Sequence, residues 1–412
     1  MAEISTVTPS EHLEHPDYPM PRAAGCPFDP PPALLTLQEQ KPLARVRIWD
    51  GTSPWLVTRY DHMRALLGDA RLSADTANPG YPYRNAAGRA GDQIRRTFLT
   101  MDDPEHARLR RMVTAPFAIK NVEALRPSVQ TIVDGLIDRL LDGPRPVDLV
   151  EAFATPVPSL VICELLGVPY DDHDFFQRNT RVIVRRTSTP EEVVAAQNAL
   201  VDYLDDLLGD KQARPGEDLL STLAGQRVDA GQMTRHEAAQ MGVLLLSAGH
   251  ETTANMIALG TVALLRHPDQ LALLRDTDDP KVVAAAVEEL LRYLTIAHSG
   301  RRRVALEDIE IDGEVIRAGD GVILAGEAAN RDPRVFPDPD RLDVTRDARQ
   351  HVAFGFGVHQ CLGQPLARVE LQVVYSTLYS RIPTLELAVD ADRLDYKHDG
   401  LVYGVYELPV TW

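Results

Sequence analysis

A cysteine framed by glycines is the residue of this sequence best placed to do chemistry. Cys361 lies in the stretch FGFGVHQCLG, residues 354–363, and a helical pattern follows directly. A thiol at the start of a helix gains thiolate character from the helix dipole and from free backbone N–H groups, which suits a metal ligand as well as a nucleophile. A lone cysteine is more often an inert, small apolar side chain. The glycines favour chemistry here, because they leave room for a flat ligand pressed against the loop.

A second candidate is a group of polar residues in the middle of an apolar helix. The pattern predicts a helix from Thr234 to about Arg266, opened by a capping box of Thr234 and Glu237 and ended before Pro268. Its apolar centre contains the sequence GHETT, residues 249–253, where a buried carboxylate and hydroxyl are costly without a purpose. The alternative is a helix kink whose polar groups are satisfied locally.

The elements that must position these residues are mostly helical. The pattern between residues 103 and 266 is almost wholly helical, and Asp-Gly pairs at 50–51 and 312–313 predict two β-hairpins. The last residues alternate like a strand. We therefore predict a mostly α fold with small β-sheets, made of an extended N-terminal tail, residues 1–30, and one domain, residues 31–412.

Composition excludes several classes of function. The 412 residues carry 43 lysines and arginines against 60 aspartates and glutamates, a formal net charge of −17. Such an acidic chain repels nucleic acid and anionic lipid, so small molecules or proteins are the expected ligands. Three widely spaced cysteines predict no disulfide framework, and no apolar run is long enough to span a membrane. We expect a cytoplasmic, unanchored monomer.

Four segments together resemble one known family. Residues 354–363, read as F-G-x-G-x-H-x-C-x-G, resemble the haem-binding signature of the cytochrome P-450 superfamily. Residues 248–253 resemble its oxygen-activating stretch, Glu289 and Arg292 its E-x-x-R helix, and residues 332–341 its meander. The resemblance covers essentially the whole chain and is strongest to soluble actinobacterial, Streptomyces-like members. It implies a single triangular-prism helical domain with a β-rich lobe.

The resemblance also implies a cofactor, haem b, with Cys361 as the iron ligand. The residues it assigns to the haem propionates are His106, Arg110, Arg303 and His359. The other residues it places at the haem are Ala248, Gly249, Phe354, Gly355 and Gly363. It further implies a buried structural ion-pair cluster of Glu289, Arg292 and Arg341. From the residues alone, Glu289 and Arg292 could equally be an exposed i,i+3 pair, and His106 and Arg110 a solvated stripe.

The implied activity is a monooxygenase that splits dioxygen and inserts one oxygen atom into an organic substrate. Glu251 and Thr252 are the implied catalytic residues, which deliver protons. The expected substrate is a bulky, mainly apolar small molecule such as a polyketide, macrolide or terpenoid. The residues expected to line its pocket are Leu244, Leu245, Ala248, Ile296, Ala297, His298 and Val402.

The chain contains no flavin or reductase segment, so the implied partners are an iron–sulfur ferredoxin and its NAD(P)H-dependent reductase. Arg108 and Arg111 on the helix after Pro104, joined by Arg368, are the expected docking patch. The alternatives are a peroxide-driven haem-thiolate enzyme, a haem sensor without turnover, and dehydratase or isomerase chemistry on the same scaffold. The Glu251–Thr252 pair favours dioxygen chemistry over all three.

Overall fold

Helices make up most of the structure, a computed structural model that describes residues 15–23, 25, 27–94 and 97–412. In this part of the chain the α-helices are α1 Pro32–Gln40, α2 Tyr60–Leu67, α3 Ala86–Ile94, α4 Glu105–Thr114, α5 Ile119–Asp142, α6 Pro156–Leu166, α7 His173–Val184, α8 Pro190–Ala213, α9 Leu219–Leu223, α10 Arg235–Arg266, α11 Pro268–Arg275, α12 Pro280–Leu294, α13 Gly326–Ala329 and α14 Gln364–Arg381. Short 3-10 or π turns cover Phe98–Thr100, Ala115–Phe117, Val150–Ala154, Tyr170–Asp172, Ala224–Val228, Gly357–His359 and Ala391–Arg393. The prediction of a mostly helical chain is confirmed.

The strands are short and form three small sheets. They are β1 Leu43–Arg45, β2 Trp55–Val57, β3 Leu72–Ser73, β4 Val147–Asp148, β5 Arg301–Ala305, β6 Ile309–Ile311, β7 Glu314–Ile316, β8 Gly321–Leu324, β9 Glu386–Leu387 and β10 Pro409–Thr411. The largest sheet has the order β1-β2-β8-β5-β3, with β2 parallel to β8 and the other pairs antiparallel. Both predicted hairpins are present: Gly51 has φ +83°, and Asp312 and Gly313 have φ of 50° and 79° between β6 and β7. Two successive positive φ values are typical of a type I′ turn.

Helix α10 forms the centre of the helical part. Its N-cap Thr234 accepts a hydrogen bond from the Glu237 backbone, and the Glu237 carboxylate bonds back, so the predicted capping box is confirmed. The helix packs against α6, α8 and α14 and is buried on nearly all sides. A Cβ on Gly249 would lie 2.7 Å from the Ile162 side chain, so this glycine allows α6 to approach α10 closely.

The described part of the N-terminal tail lies against the largest sheet. Tyr18 N–H donates to the Arg47 carbonyl over 2.8 Å, and Arg47 N–H donates to the Pro16 carbonyl over 2.9 Å. Tyr18 and Met20 join a small apolar cluster with residues of β2, β8 and α1. Residues 1–14, 24 and 26 of the tail lie outside the described residues, and the division at residue 30 stays a prediction. None of the helices that the structure describes is long and apolar enough to cross a bilayer.

Three loops are joined where the α7–α8 connection crosses the chain near its C-terminus. Arg186 N–H donates to the Asp399 carbonyl over 2.8 Å, and Leu401 N–H donates to the Val184 carbonyl over 3.0 Å. The Asn85 side-chain amide donates to the Arg186 carbonyl over 2.9 Å. We call this set of contacts the clasp. It holds the α7–α8 loop against residues 399–401 and against the start of α3.

Candidate active site

The loop before α14 places Cys361 at a fixed point. Cys361 N–H donates to the Phe354 carbonyl over 2.9 Å, and Gln360 N–H donates to the Gly357 carbonyl over 3.0 Å. Gly355 and Gly357 have φ near +76° and +75°. A Cβ on Gly357 would lie 2.4 Å from the Leu67 carbonyl oxygen, so only glycine fits there. The hydrogen bonds and glycines together present the thiol at the N-terminal end of α14.

The thiol of Cys361 faces a mainly apolar cavity of about 310 Å³ between α10 and the cysteine loop. Burial raises the pKa of the Cys361 thiol, while a backbone hydrogen bond from Gly363 and the nearby Arg301 and Arg110 oppose the rise. Gly363 also lines this cavity, and a Cβ placed on it would meet nothing within 4 Å. The loop therefore leaves open space beside the thiol.

Three of the four residues predicted to bind propionates meet at one side of this cavity. The rings of His106 and His359 lie 4.2 Å apart between centroids, and Arg110 Nη2 donates to the Gln360 carbonyl over 2.5 Å. His106 Nδ1 lies within hydrogen-bond distance of Asp103 Oδ1, at 2.9 Å. His106 Nε2 and His359 Nδ1 are buried without a hydrogen-bond partner among the described residues. These two nitrogens are thus available to a ligand.

Strand β5 supplies two further cations to the same side. Burial, followed by Arg303, His106 and Arg110, lowers the pKa of His359 to about 3, which places the predicted Arg303 in this group. Arg301 lies two residues earlier on the same face of the strand and lines the cavity. Its Nη2 donates to the Ala353 carbonyl over 2.6 Å, while its buried Nη1 has no partner in the described chain. Sequence reasoning missed Arg301, although the two-residue spacing from Arg303 was a usable signal.

The polar centre of α10 lies between two cavities. Thr252 faces the cavity of Cys361, and its hydroxyl donates to the Ala248 carbonyl over 2.8 Å. Glu251 faces a second cavity of about 270 Å³ behind the helix. Its carboxylate accepts a hydrogen bond from the Asn255 amide over 3.0 Å and lies 3.6 Å from Lys397 Nζ. Two adjacent residues of one helix therefore link the two cavities.

The charge state of Glu251 follows from its neighbours. Burial favours its neutral form, but Lys397 and His250 outweigh burial and hold the pKa of Glu251 below its ordinary value. His250 is itself buried, which lowers its pKa, and its Nδ1 contacts the Leu246 carbonyl over 3.0 Å. Glu251 is thus a carboxylate at neutral pH. Lys397 comes from a distant part of the chain, and no sequence pattern marked it.

A second buried carboxyl group, Glu370 on α14, also lines the cavity of Cys361. Burial raises the pKa of Glu370 to about 8, although a hydrogen bond with Thr253 opposes the rise. Its Oε2 has no partner within the described residues. The group is a neutral acid at pH 7. Its position in the apolar stripe of α14 was the signal that sequence reasoning overlooked.

The structural ion-pair cluster is present, but with a different third arginine. Arg292 Nε and Nη2 donate to the two carboxylate oxygens of Glu289 over 2.7 and 2.8 Å, and both side chains are fully buried. The prediction of Arg341 is wrong: Arg346 Nε donates to Glu289 over 3.2 Å. Arg341 has an exposed side chain and offers only its backbone carbonyl to Arg292 and Arg346. The turn after Asp338 points the Arg341 side chain outward.

Five of the seven predicted pocket residues line the cavity of Cys361. They are Leu244, Leu245, Ala248, Ile296 and Ala297. The predictions for His298 and Val402 are wrong. His298 Nε2 contacts the Gly400 carbonyl over 3.0 Å, and Val402 lines the second cavity beside Glu251. Of the predicted haem contacts, Gly249, Phe354 and Gly363 line the cavity. Gly355 does not line it and packs against Arg301 instead: a Cβ built on Gly355 would lie 3.1 Å from Arg301 Nε.

The expected docking patch is also altered. Arg108 Nε donates to Glu105 over 2.7 Å, and its Nη2 lies 3.4 Å from Glu237, so the charge of Arg108 is neutralised against the start of α10. Arg368 is paired with Glu288 over 2.5 Å. Arg111 is exposed on α4. Arg108 and Arg368 are thus both paired with glutamates. Among the described residues, Arg111 is the one predicted cation that is exposed and has no acidic partner.

The arrangement fits haem. A flat ring needs the open space beside Gly363, its iron needs the thiol of Cys361, and its two carboxylates need the unpartnered donors on His106, His359 and Arg301. The ring-facing walls are mostly apolar. The apolar residues among the cavity wall are Phe98, Leu99, Phe117, Ile162, Leu244, Leu245, Ala248, Met256, Leu291, Ile296, Ala297, Ala353, Phe354, Leu362, Leu366, Ala367 and Leu371.

Comparison with known proteins agrees with this geometry. The Cytochrome P450 family model matches residues 31–382. Cytochrome P450 GfsF from Streptomyces halstedii is 56% identical over 399 residues, which cover 96% of each chain, and its crystal structure has a TM-score of 0.91 and covers 96% of this chain and 100% of that one. Pentalenic acid synthase from Streptomyces avermitilis is 49% identical and covers 95% of this chain and 96% of its own.

A further solved structure is the mycinamicin VIII C21 methyl hydroxylase MycCI from Micromonospora griseorubida, bound to mycinamicin VIII. It is 42% identical, has a TM-score of 0.91, and covers 96% of this chain and 100% of its own. The matches confirm the predicted fold class, the haem b cofactor and the resemblance to Streptomyces-type members. The cavity contains the Cys361 thiol, and the family model and the relatives match almost the whole chain. This chain therefore belongs to the cytochrome P450 family and is a haem-containing monooxygenase.

Proposed function

We propose that this monooxygenase uses dioxygen to hydroxylate a bulky, mainly apolar small molecule of the macrolide, polyketide or terpenoid class. The observation that carries the proposal is the cavity itself, whose walls are apolar and which contains Cys361 on one side and Thr252 on the other. Relatives named as a hydroxylase of mycinamicin VIII and as a pentalenic acid synthase support it. An apolar wall selects substrates by shape and by burial of apolar area.

Cys361 is the proposed iron ligand, and the bound haem supplies the chemistry of O–O cleavage and oxygen transfer. His106, Arg110, Arg303 and His359 hold its carboxylates, with Arg301 as a fifth donor. Because these groups lie on α4, β5 and the cysteine loop, the ring position is fixed by three separate elements. Gly249 and Ala248 leave the face of α10 free of bulky side chains beside Thr252.

Glu251 and Thr252 are the proposed route for protons into the cavity. Water in the second cavity can reach the Glu251 carboxylate, which is ionised at neutral pH and can therefore accept a proton. Rotation of the Glu251 side chain past Thr252 carries that proton into the cavity of Cys361. The Thr252 hydroxyl donates its hydrogen bond to the Ala248 carbonyl. The lone pairs of its oxygen can therefore accept a hydrogen bond within the cavity.

Spectral titration of the holoenzyme with a library of macrolides, terpenoids and polyketides tests the substrate class, because displacement of water from the iron shifts the Soret band. A compound that binds is then turned over under ¹⁸O₂ with a ferredoxin system. We expect one labelled oxygen in the product. Turnover with hydrogen peroxide alone, and none with dioxygen and reductant, would favour a peroxide-driven enzyme instead.

An iron–sulfur ferredoxin, reduced by an NAD(P)H-dependent reductase, is the proposed electron donor. The P450 chain itself is proposed to be a cytoplasmic monomer on which the ferredoxin docks. The proposed surface contains Arg111 and the cysteine loop, where Val358 is 60% exposed. Arg110, the neighbour of Arg111 on α4, touches this loop through the Gln360 carbonyl. A basic residue beside an exposed apolar one suits an acidic partner that must come close to the haem.

Stopped-flow reduction at increasing ionic strength tests this surface. We expect the rate to fall as salt screens the attraction, and Arg111→Glu to slow reduction about tenfold at low salt. Arg214→Glu, at the exposed residue after α8, is the matched control because it changes net charge equally. Equal rates in both variants would place the docking surface elsewhere.

A further inference from the structure

Arg302 is a buried cation that the haem site does not explain. Arg301 and Arg303 share the face of β5 that meets the cavity of Cys361, so Arg302 projects from the opposite face. Arg302 is 4% exposed, and its Nη1 donates to the Ser299 carbonyl over 2.7 Å. Its Nε is buried with no hydrogen-bond partner in the described part of the chain. A buried guanidinium with an unused N–H group costs free energy unless something binds it.

Two more unpartnered groups lie next to Arg302. The hydroxyl of Tyr18, in the N-terminal segment, would lie 3.0 Å from a Cβ on Gly300, so the phenol rests on the backbone just before β5. Glu327, on α13, is 3% exposed and leaves Oε2 without a partner from the described residues. The Tyr18 hydroxyl is equally unpartnered. Tyr18, Arg302 and Glu327 interact with one another electrostatically.

Arg22 completes the group from the same N-terminal segment. Its guanidinium carbon lies 4.1 Å above the centre of the Tyr403 ring, and its Nη1 donates to the Asp29 carbonyl. Its Nε and Nη2 are both buried and have no partner among the residues described. Arg22 also interacts with Glu327. We call the four residues that hold these unpartnered atoms the buried polar cluster: Tyr18, Arg22, Arg302 and Glu327.

The charge of the buried polar cluster is positive. It contains two guanidinium groups and one carboxyl group, and burial raises the pKa of Glu327 to about 7. The further charged side chains that act on its members are mostly cationic. They are Arg84, Arg186, Arg301 and Arg331, with Asp29 as the acid. Water could fill the unused hydrogen bonds but could not balance this charge.

The unpartnered atoms of Arg22 indicate the shape of the missing group. Nε and Nη2 form the edge of a guanidinium that donates two parallel hydrogen bonds, and this edge matches the two oxygens of a carboxylate. Arg302 Nε and the Tyr18 hydroxyl add single donors. We propose that the buried polar cluster binds a small carboxylate, held by Arg22, Arg302 and Tyr18.

The carboxylate could belong to a free anion or to the substrate. Tyr403, on which Arg22 stacks, donates its N–H to the Ile296 carbonyl over 2.8 Å, and Ile296 lines the cavity of Cys361. The cluster therefore lies directly behind one wall of the haem cavity. Only the second source rests on the proposed function, because a free anion would bind whatever the substrate is.

Thermal unfolding of the holoenzyme in sodium acetate tests the site, with sodium chloride replacing acetate to keep the ionic strength constant. We expect Tm to rise with acetate, as for any ligand of the folded state alone. Arg22→Lys keeps the charge but loses the two-donor edge, and Tyr18→Phe keeps the ring but loses the hydroxyl. Each variant should weaken the affinity for acetate, obtained from the dependence of Tm on acetate concentration, about tenfold, equivalent to about 1.4 kcal/mol. An acetate effect that is absent, or identical in the native protein and both variants, overturns the proposal.

A crystal structure of the holoenzyme grown in acetate provides the second measurement, which holds even if a variant folds poorly. A planar acetate on Arg22 Nε and Nη2 supports the site, whereas water alone, or a direct Arg22–Glu327 ion pair, contradicts it. Spectral titration with abietic acid and its methyl ester then separates the sources. If acetate competes with the acid and not with the ester, the substrate supplies the carboxylate. If acetate stabilises the protein without affecting either titration, the site holds a free anion.

Discussion

Replacing Arg346 should destabilise the protein, whereas replacing Arg341 should not. Arg341 ends the meander and Arg346 follows it, and the family resemblance implied Arg341. In the structure, Arg346 Nε donates to the buried carboxylate of Glu289 over 3.2 Å, and its other nitrogens donate to backbone carbonyls of the same turn, including that of Asp338 over 3.1 Å. The Arg341 side chain is exposed. The two substitutions thus form a matched pair, with the same residue type lost five positions apart.

The magnitude follows from what each alanine leaves behind. In Arg346→Ala, Glu289 keeps its two hydrogen bonds from Arg292, so the carboxylate is not stranded and the loss stays below the roughly 3–5 kcal/mol of a broken buried pair. One charged hydrogen bond and several backbone contacts disappear, which together cost about 2–3 kcal/mol. Arg341→Ala removes an exposed side chain and keeps the carbonyl, so its cost should stay within about 0.5 kcal/mol.

Urea unfolding of the holoenzyme, followed by circular dichroism and by the Soret band, measures both costs. With a slope of about 4 kcal/mol per molar for a chain of this size, the midpoint of Arg346→Ala should fall by roughly 0.5–0.8 M. The Arg341→Ala midpoint should move by about 0.1 M or less, which is the control. Equal shifts in the two variants, or a larger shift for Arg341→Ala, would refute the assignment of Arg346 to the cluster.

Four further outcomes are expected. Cys361→Ala should abolish the strongly red-shifted Soret band of the reduced carbon monoxide complex, and a variant that kept the band would exclude this ligand. Thr252→Ala should bind substrate normally but divert reducing equivalents to peroxide, so unchanged product per NAD(P)H would argue against its role. Lys397→Met should remove the cation that keeps Glu251 ionised and shift the acid limb of the turnover profile to higher pH; Lys397→Arg should keep the native profile, and identical profiles in both would contradict the pairing. Burial raises the pKa of Glu327 from 4.5 to about 7, so its contribution to stability is present below pH 4.5 and is lost as pH rises to 7. The free energy of unfolding should fall by roughly 3 kcal/mol over this range. Glu327→Gln should lack this fall when unfolding is measured at several pH values.

Features encoded by neighbouring residues were predictable from the sequence. The capping box at Thr234, the hairpin turn at Gly313 and the glycine-framed loop at Cys361 each depend on a few adjacent side chains, and the structure has all three. Partners that come from distant segments were not predictable. Lys397 reaches Glu251 only because the C-terminal loop folds behind α10, and no spacing in the sequence records that approach.

The same distinction explains the two errors in the pocket. Ile296 and His298 are only two residues apart, yet His298 turns away to the Gly400 carbonyl. Val402 follows the residues that hold the α7–α8 loop, and this pairing places it on the far side of α10 from the haem. In both cases a contact between remote loops, through the His298 side chain in one and the backbone of Leu401 in the other, accompanies the direction that the side chain takes, and side-chain type carried no information about it.

The clasp has a consequence for the time course of ligand binding. We expect a bulky ligand to enter past the clasp, so that the hydrogen bonds of Arg186 and Leu401 to the opposite loop and that of Asn85 to Arg186 must break together before it enters. The observed rate constant for binding should then rise with ligand concentration only up to a plateau, set by how often the loops separate. Two chemically different ligands that both fill the cavity should reach the same plateau. Asn85→Ala, which removes one of the three bonds, should raise that plateau for both ligands alike.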